Sequence, residues 1–298
     1  MRLKSLLLTP LLLALSGLTL FALFKAATGV APIAWVGVAL AAAPLPAFVS
    51  YLMATESAAR TSANMPGAFM ISGLGVALSL AGSSSPLQPL LAGAAFAGLA
   101  WYIFVYSRYG RRPSKALALG AALPDFDLKD ANGYVVPSSD FTQQPALFLF
   151  YRGNWCPLCM AQIKKVAAAY QRLAAKGVAV ALVSPQPAKE TATLAAKFDV
   201  PFRFLIDEDG QAARALDIFA KGGTPLGVDA MGYGADTVLP TVIATDASGR
   251  IIFLDQTDNY RVRPEPETFL AIFEASGARP SGGENAAPSA INPAGAAA

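Results

Sequence analysis

The sequence predicts an α/β domain, a central mixed sheet flanked by helices, preceded by about four transmembrane helices. Three observations predict it. The first is a division of charge and apolarity along the 298 residues: eight Lys/Arg stand against one Asp/Glu in residues 1–115, and fifteen against nineteen thereafter. A basic, apolar front and a mildly acidic back argue for two parts in different solvents. The second is an alternation of short apolar runs with helix-period segments between about 118 and 277, which implies a sheet covered on both faces. The third is the placement of the only two cysteines, Cys156 and Cys159, where one such run gives way to a helix.

In the front half, uncharged stretches at about 6–24, 29–54, 67–82 and 90–106 read as spans, and residues 1–115 as a membrane domain ending in a basic linker. The second stretch is interrupted by Pro32, Pro44 and Pro46, and the third is short and rich in Gly and Ser. The first also has the outline of a signal peptide, but its apolar run is long and no small-x-small site follows. Trp101, Tyr102 and Tyr106 suit a membrane interface at the end of the fourth. With four spans, Arg2, Lys4, Arg60, Arg108, Arg111, Arg112 and Lys115 share one side and only Lys25 lies on the other. The positive-inside rule then places the C-terminal domain in the cytoplasm, within a bacterial-type inner membrane; three or five spans reverse the assignment. The spans hold neither cysteine nor charge, so they read as an anchor rather than as a conductor of electrons or ions.

The back half, 116–277, begins with a hairpin signal: Asp130-Ala131-Asn132-Gly133 before Tyr134-Val135-Val136. Strands follow at 146–151, 178–184, 202–206, 238–245 and 250–254. Helices are expected at 157–176, 188–198, 210–219 and 266–276, with Gly177 as a C-cap. Residues 278–298, rich in Pro, Ala, Gly and Ser, read as a disordered tail.

Composition excludes several chemistries. The chain has no histidine, which removes Ser–His and Cys–His catalysis and His-ligated zinc or haem. Two cysteines alone make a zinc site implausible, so no metal and no cofactor are expected. The basic excess sits beside the apolar stretches and is no sign of nucleic-acid binding. What is left is the C-x-x-C at a strand-to-helix junction, the layout of a thioredoxin-like redox site. Two intervening residues put both sulfurs in one helical turn, and the first cysteine at the helix N-terminus is expected to be the thiolate. Pro157 suits that first turn because its missing N–H would be unpaired there. Arg152, four residues before Cys156, reads either as support for a thiolate or a peroxide oxygen, or as a solvated surface arginine. The Gly-rich run from Gly222-Gly223 to Gly234 reads as a mobile loop near the dithiol.

Pro124-x-Phe126-x-Leu128 with Gly133, the Tyr151-to-Cys159 motif, Leu239-Pro240-Thr241-Val242 and Asp246-x-x-Gly249-Arg250-Ile251 together resemble the redoxin group, the AhpC/TSA peroxiredoxin-like branch of the thioredoxin superfamily. The resemblance covers about 118–277 and implies a thioredoxin-like fold. It implies that Pro240 is the cis-proline facing the dithiol, and that Trp155, of the W-C-x-x-C motif, shapes the rim of the site. Aligned on the peroxiredoxin pattern P-x-x-x-T-x-x-C, Arg152 takes the proline position, Cys156 the threonine position and Cys159 the peroxidatic one. Aligned on thioredoxin, Phe150 takes the place of a buried acid, leaving Gln162, water or substrate to move the proton. Arg261 and Arg263 echo the redoxin C-terminal region and receive no catalytic role.

Three functions follow. Thiol–disulfide exchange, with Cys156 attacking and Cys159 resolving a bond to a partner protein, comes first. Peroxide reduction, with either cysteine oxidised to a sulfenic acid, comes second. A purely structural disulfide comes last, because so small a ring constrains little of the unfolded chain. Either redox reading requires protein thiols, disulfides or peroxide as substrate, and an unidentified thiol electron donor.

Overall fold

The structure, a computed structural model, describes residues 2–29, 31–55 and 60–277. The expected tail at 278–298 lies outside them. The front half is helical: α1 (Arg2–Thr28), α2 (Pro32–Ala42), α3 (Pro44–Thr55), α4 (Pro66–Gly82) and α5 (Leu87–Trp101), the last continuing into a π-helical turn, Tyr102–Tyr106.

Two of these are long and apolar enough to cross a membrane, Leu3–Thr28 and Leu87–Tyr106, rather than the four expected. The second expected span is broken: α2 and α3 meet at 46°. Pro44 and Pro46 supply the cause, since proline lacks the N–H that would continue the ladder and crowds the preceding turn. If the bent pair counts as one span the total is three. The third expected span, α4, has 17 residues and falls short. Many outward side chains here are large and apolar, among them Leu13, Leu20, Phe24, Met70, Leu80 and Leu90, each more than 60% exposed. Inside, α2 and α4 pack backbone to backbone at Gly37 and Gly75. A Cβ on Gly37 would lie 2.5 Å from the Ser79 nitrogen, and one on Gly75 2.5 Å from the Ala41 nitrogen. Ser72 Oγ closes the contact by donating to the Ala41 carbonyl at 2.8 Å. Small residues permit this approach, as in other close helix pairs of apolar bundles.

The back half contains β1 (Asp127–Lys129), β2 (Val135–Pro137), β3 (Ala146–Phe150), α6 (Pro157–Ala168), α7 (Tyr170–Ala174), β4 (Ala179–Ser184), α8 (Ala188–Ala195) and β5 (Arg203–Ile206). It continues with α9 (Gln211–Ala215), β6 (Phe219–Ala220), β7 (Thr237–Val238), β8 (Thr241–Thr245), β9 (Ile251–Asp255) and α10 (Pro266–Ala275). Seven strands form one sheet in the order β2-β1-β5-β4-β3-β8-β9, with β6 and β7 as a separate pair. β3, β4 and β5 are parallel, while β1, β2, β8 and β9 run antiparallel to their neighbours. This is the mixed sheet the alternation predicts.

β3 is central and wholly buried, and its alternate residues serve two different cores. Phe148 and Phe150 face Phe126 at ring separations of 5.9 and 6.1 Å, and Phe148 faces Phe141 at 5.0 Å. Leu147, Leu149 and Tyr151 face the other way, into a cluster with Ile163, Val166, Phe269 and Phe273. That cluster runs on without a gap into Leu45, Leu52, Tyr102 and Ile103 of the helices. The expected helix 157–176 is interrupted at Ala169 (φ −90°, ψ 4°), after which Tyr170 packs edge-on against Phe202 at 5.7 Å. Gly177 caps it as expected, with φ +68°. The expected strand 238–245 is two strands, because Leu239-Pro240 leaves β7 before β8 begins.

The two halves are hydrogen-bonded together. The Arg261 guanidinium donates to the Ser62 and Ala63 carbonyls at 2.7 and 2.8 Å and to Ser107 Oγ at 2.8 Å. The Tyr102 and Tyr260 hydroxyls share a 2.7 Å hydrogen bond. Lys4 Nζ donates to the Val105 and Arg108 carbonyls, so the start of α1 and the end of the second long helix meet on the side of the sheet.

Candidate active site

β3 ends at Phe150, and the chain turns through Tyr151–Trp155 into α6. Cys156 is the N-cap of α6 (φ −95°, ψ 107°) and Pro157 its first residue, as the motif predicts. Cys159 follows in the first turn. Both cysteines are free, and both are buried, at 2% and 0% exposure. Gly153, in the approach loop, holds φ +148°, and a Cβ there would lie 2.5 Å from the Trp155 ring nitrogen. Only glycine lets that ring lie where it does.

Arg152 is buried, not solvated. Its guanidinium lies 4.6 Å from the Trp155 ring centroid and 5.8 Å from that of Tyr260, and Nη2 donates to the Gly223 carbonyl at 2.6 Å. Trp155 thus shapes the site by stacking on a cation. The Gly-rich loop is tied to the site rather than free. Gly223 accepts from Arg152, Thr237 Oγ1 donates to the Arg152 carbonyl at 2.9 Å, and the Tyr233 hydroxyl bonds to Asn154 and Glu190. Pro240 lies buried between β7 and β8, its carbonyl accepting from Arg111 Nη1 at 3.0 Å. It is trans, as is every described peptide bond, which corrects the expectation of a cis-proline.

The residue that sequence reasoning passed over is Arg263. Its Nη2 lies 3.5 Å from Cys159 Sγ, Nη1 donates to Gln162 Oε1 at 2.9 Å, and Nε donates to the Tyr260 carbonyl at 2.9 Å. Gln162 is therefore occupied in orienting Arg263 and is not a free proton carrier. Among the described residues, none of the ion pairs includes Arg152 or Arg263. Two buried cations, without carboxylate partners among the described residues, flank two thiols.

That imbalance sets the protonation of the pair. Burial alone would raise the Cys159 thiol, but the hydrogen bond from Cys156, the Arg263 charge and the Arg152 backbone N–H and charge outweigh it and hold Cys159 well below the ordinary range. Cys156 is pushed up because it donates that hydrogen bond, is buried, and faces the negative sulfur. The asymmetry favours the proton on Cys156 and the negative charge on Cys159. The sequence reading expected the reverse. Its local argument, the helix N-terminus, favours both sulfurs, whereas the arginine that discriminates between them is 104 positions away.

Residues 119–253 match the family described as AhpC/TSA. Peroxiredoxin Bcp of Bacillus subtilis is 26% identical over 136 residues, 46% of this chain and 83% of that protein. Thiol-disulfide oxidoreductase ResA of Geobacillus kaustophilus is 28% identical over 104 residues, 35% of this chain and 59% of that one, so the chain spans less than two thirds of its length. The structure of reduced Prx3 from Vibrio vulnificus in complex with hydrogen peroxide superimposes with a TM-score of 0.46 at 20% identity, covering 53% of this chain and 99% of that one. Residues 119–253, which hold the dithiol and most of the sheet, are thus similar to the AhpC/TSA family and to thiol-dependent redox enzymes, and the helical region before them lies outside the match.

Proposed function

We propose that the chain is a membrane-anchored thiol peroxidase in which Cys159 attacks peroxide and Cys156 resolves the product. One observation carries this reading: the fully buried Cys159 sulfur lies 3.5 Å from the Arg263 guanidinium, a position that favours a thiolate and is closed to a disulfide on a protein surface. The Cys159 thiolate attacks the terminal peroxide oxygen, the O–O bond breaks, and the leaving alkoxide takes the proton held by Cys156. Cys156, now a thiolate, attacks the Cys159 sulfenic sulfur, forms the disulfide and expels hydroxide. The hydroxide takes a proton from solvent, and the sum is the thiol–thiolate pair oxidised to a disulfide and one hydroperoxide reduced to alcohol and water. An external thiol donor then restores the dithiol. Arg152 and Arg263 hold negative charge near the reacting sulfur in a dry site, where such charges act strongly.

Thiol–disulfide exchange is the second reading. It draws support from the W-C-P-x-C sequence and from the likeness to an oxidoreductase, and it requires Cys156 to become accessible.

The membrane assignment draws on the two long apolar helices and their outward apolar side chains. A multi-pass anchor over about 1–115, ending in the basic linker before the redox part at 116–277, fits this arrangement. Lys4, Arg60 and Arg108 lie at helix ends or connections on the side of the sheet, which supports a cytoplasmic redox domain under the positive-inside rule.

The test is stoichiometric. Reduced full-length protein in detergent should lose both thiols to a single equivalent of hydrogen peroxide and gain one intramolecular disulfide without retained oxygen. Failure to react with peroxide, alongside ready reduction of an insulin-type protein disulfide, would replace this reading with the second.

A further inference from the structure

A small cavity lies between the first turn of α1, the end of the second long helix and the active-site loop. Its volume is about 20 Å³, room for about one water-sized oxygen. Lys4, Arg108 and Arg152 line it together with Tyr106, Tyr109 and Tyr260, and no carboxylate among the described residues does. Lys4 and Arg152 spend hydrogen bonds on carbonyls of Val105, Arg108 and Gly223, which satisfy donors but bring no carboxylate to the cavity. Arg108 is exposed at the mouth. The Tyr109 hydroxyl is buried without a hydrogen-bond partner among the described residues, a group that a ligand oxygen would satisfy.

We propose that this cavity is an oxyanion site, taking an oxygen of a phosphate group while Lys4 and Arg108 hold the remainder at the mouth. The phosphate belongs to an anionic lipid headgroup or to free phosphate. Arg152 joins this cavity to the dithiol, so occupancy diverts its charge from the sulfurs and weakens the support of the thiolate. A bound anion therefore slows oxidation of the dithiol, whatever the oxidant. Trp155, stacked on Arg152, reports the event.

The experiment uses the reduced full chain. In zwitterionic nanodiscs, inorganic phosphate is titrated at constant ionic strength made up with chloride, following tryptophan fluorescence and the rate of oxidation by hydrogen peroxide. A parallel arm compares phosphatidylcholine with phosphatidylglycerol nanodiscs. A saturable fluorescence change and a severalfold slowing are expected in at least one arm. An effect of free phosphate alone assigns a soluble anion, and an effect of phosphatidylglycerol assigns a headgroup. In Arg108→Gln, and independently in Lys4→Gln, the ratio of rates with and without the anion should approach one. The proposal is overturned if neither arm moves fluorescence or rate, or if both variants keep the full response. The fluorescence arm does not depend on peroxide chemistry, so failure of the peroxidase reading and failure of the anion site are distinguishable.

Discussion

Replacing Cys159 with serine should abolish peroxide reduction, a loss on the order of 10³-fold or more, as for removal of a nucleophile elsewhere. Replacing Cys156 with serine should leave the first step largely intact and halt the cycle at the second. The Cys156→Ser protein should then consume about one equivalent of peroxide and carry a dimedone-reactive sulfenic acid on Cys159, located by peptide mass. This asymmetry separates the two redox readings, because exchange initiated at Cys156 reverses the roles. In the Cys156→Ser variant the serine hydroxyl can still donate to the neighbouring sulfur, so the thiolate keeps part of its support. The two variants differ by one atom from wild type, and neither should disturb the buried cluster around α6.

Arg263→Ala should raise the Cys159 pKa by about 1–3 units, the usual effect of losing an opposite charge at this range. The sign follows from the acid form: a thiol held low is ionised at neutral pH, so the wild-type rate is flat there and falls only as the pH drops through the depressed pKa. In the variant that fall moves upward, and at about pH 6 the rate should be roughly 2- to 100-fold below wild type. Raising the pH through the ordinary thiol range should restore most of it. That recovery is the control for misfolding, because a collapsed site would stay inactive at every pH. Arg263→Lys should lie between the two, keeping a charge but losing the fork that spans Cys159, Gln162 and Tyr260.

What sequence could reveal here follows the range of each interaction. The strand–dithiol–helix unit is local and periodic, so β3, α6, Pro157 and the Gly177 cap are legible from spacing alone. Arg152 is visible by position, but its burial depends on Trp155, Gly223 and Tyr260, the last two far off in the chain and met only once the sheet is assembled. Arg263 carries no pattern of its own. It matters because β8, β9 and the segment leading to α10 bring it beneath Cys159, and no period of 2 or 3.6 encodes that meeting. The spans failed for a different reason. Hydropathy reads composition along a window, whereas Pro44 and Pro46 bend the backbone without making it any less apolar. The docking of the helices onto the redox part was invisible too, since the Arg261 contacts pair residues about 200 positions apart through backbone carbonyls that every residue possesses.

The most direct test of the central claim is a comparison of rates. The reduced full-length chain would be mixed in a stopped-flow instrument with hydrogen peroxide or with a model protein disulfide at matched concentration, following tryptophan fluorescence. A buried Cys159 thiolate predicts rapid, single-phase oxidation by peroxide and a far slower reaction with the disulfide. Faster reaction with the protein disulfide would contradict it, and would mean that Cys156 opens to solvent and that the chain is an exchange enzyme.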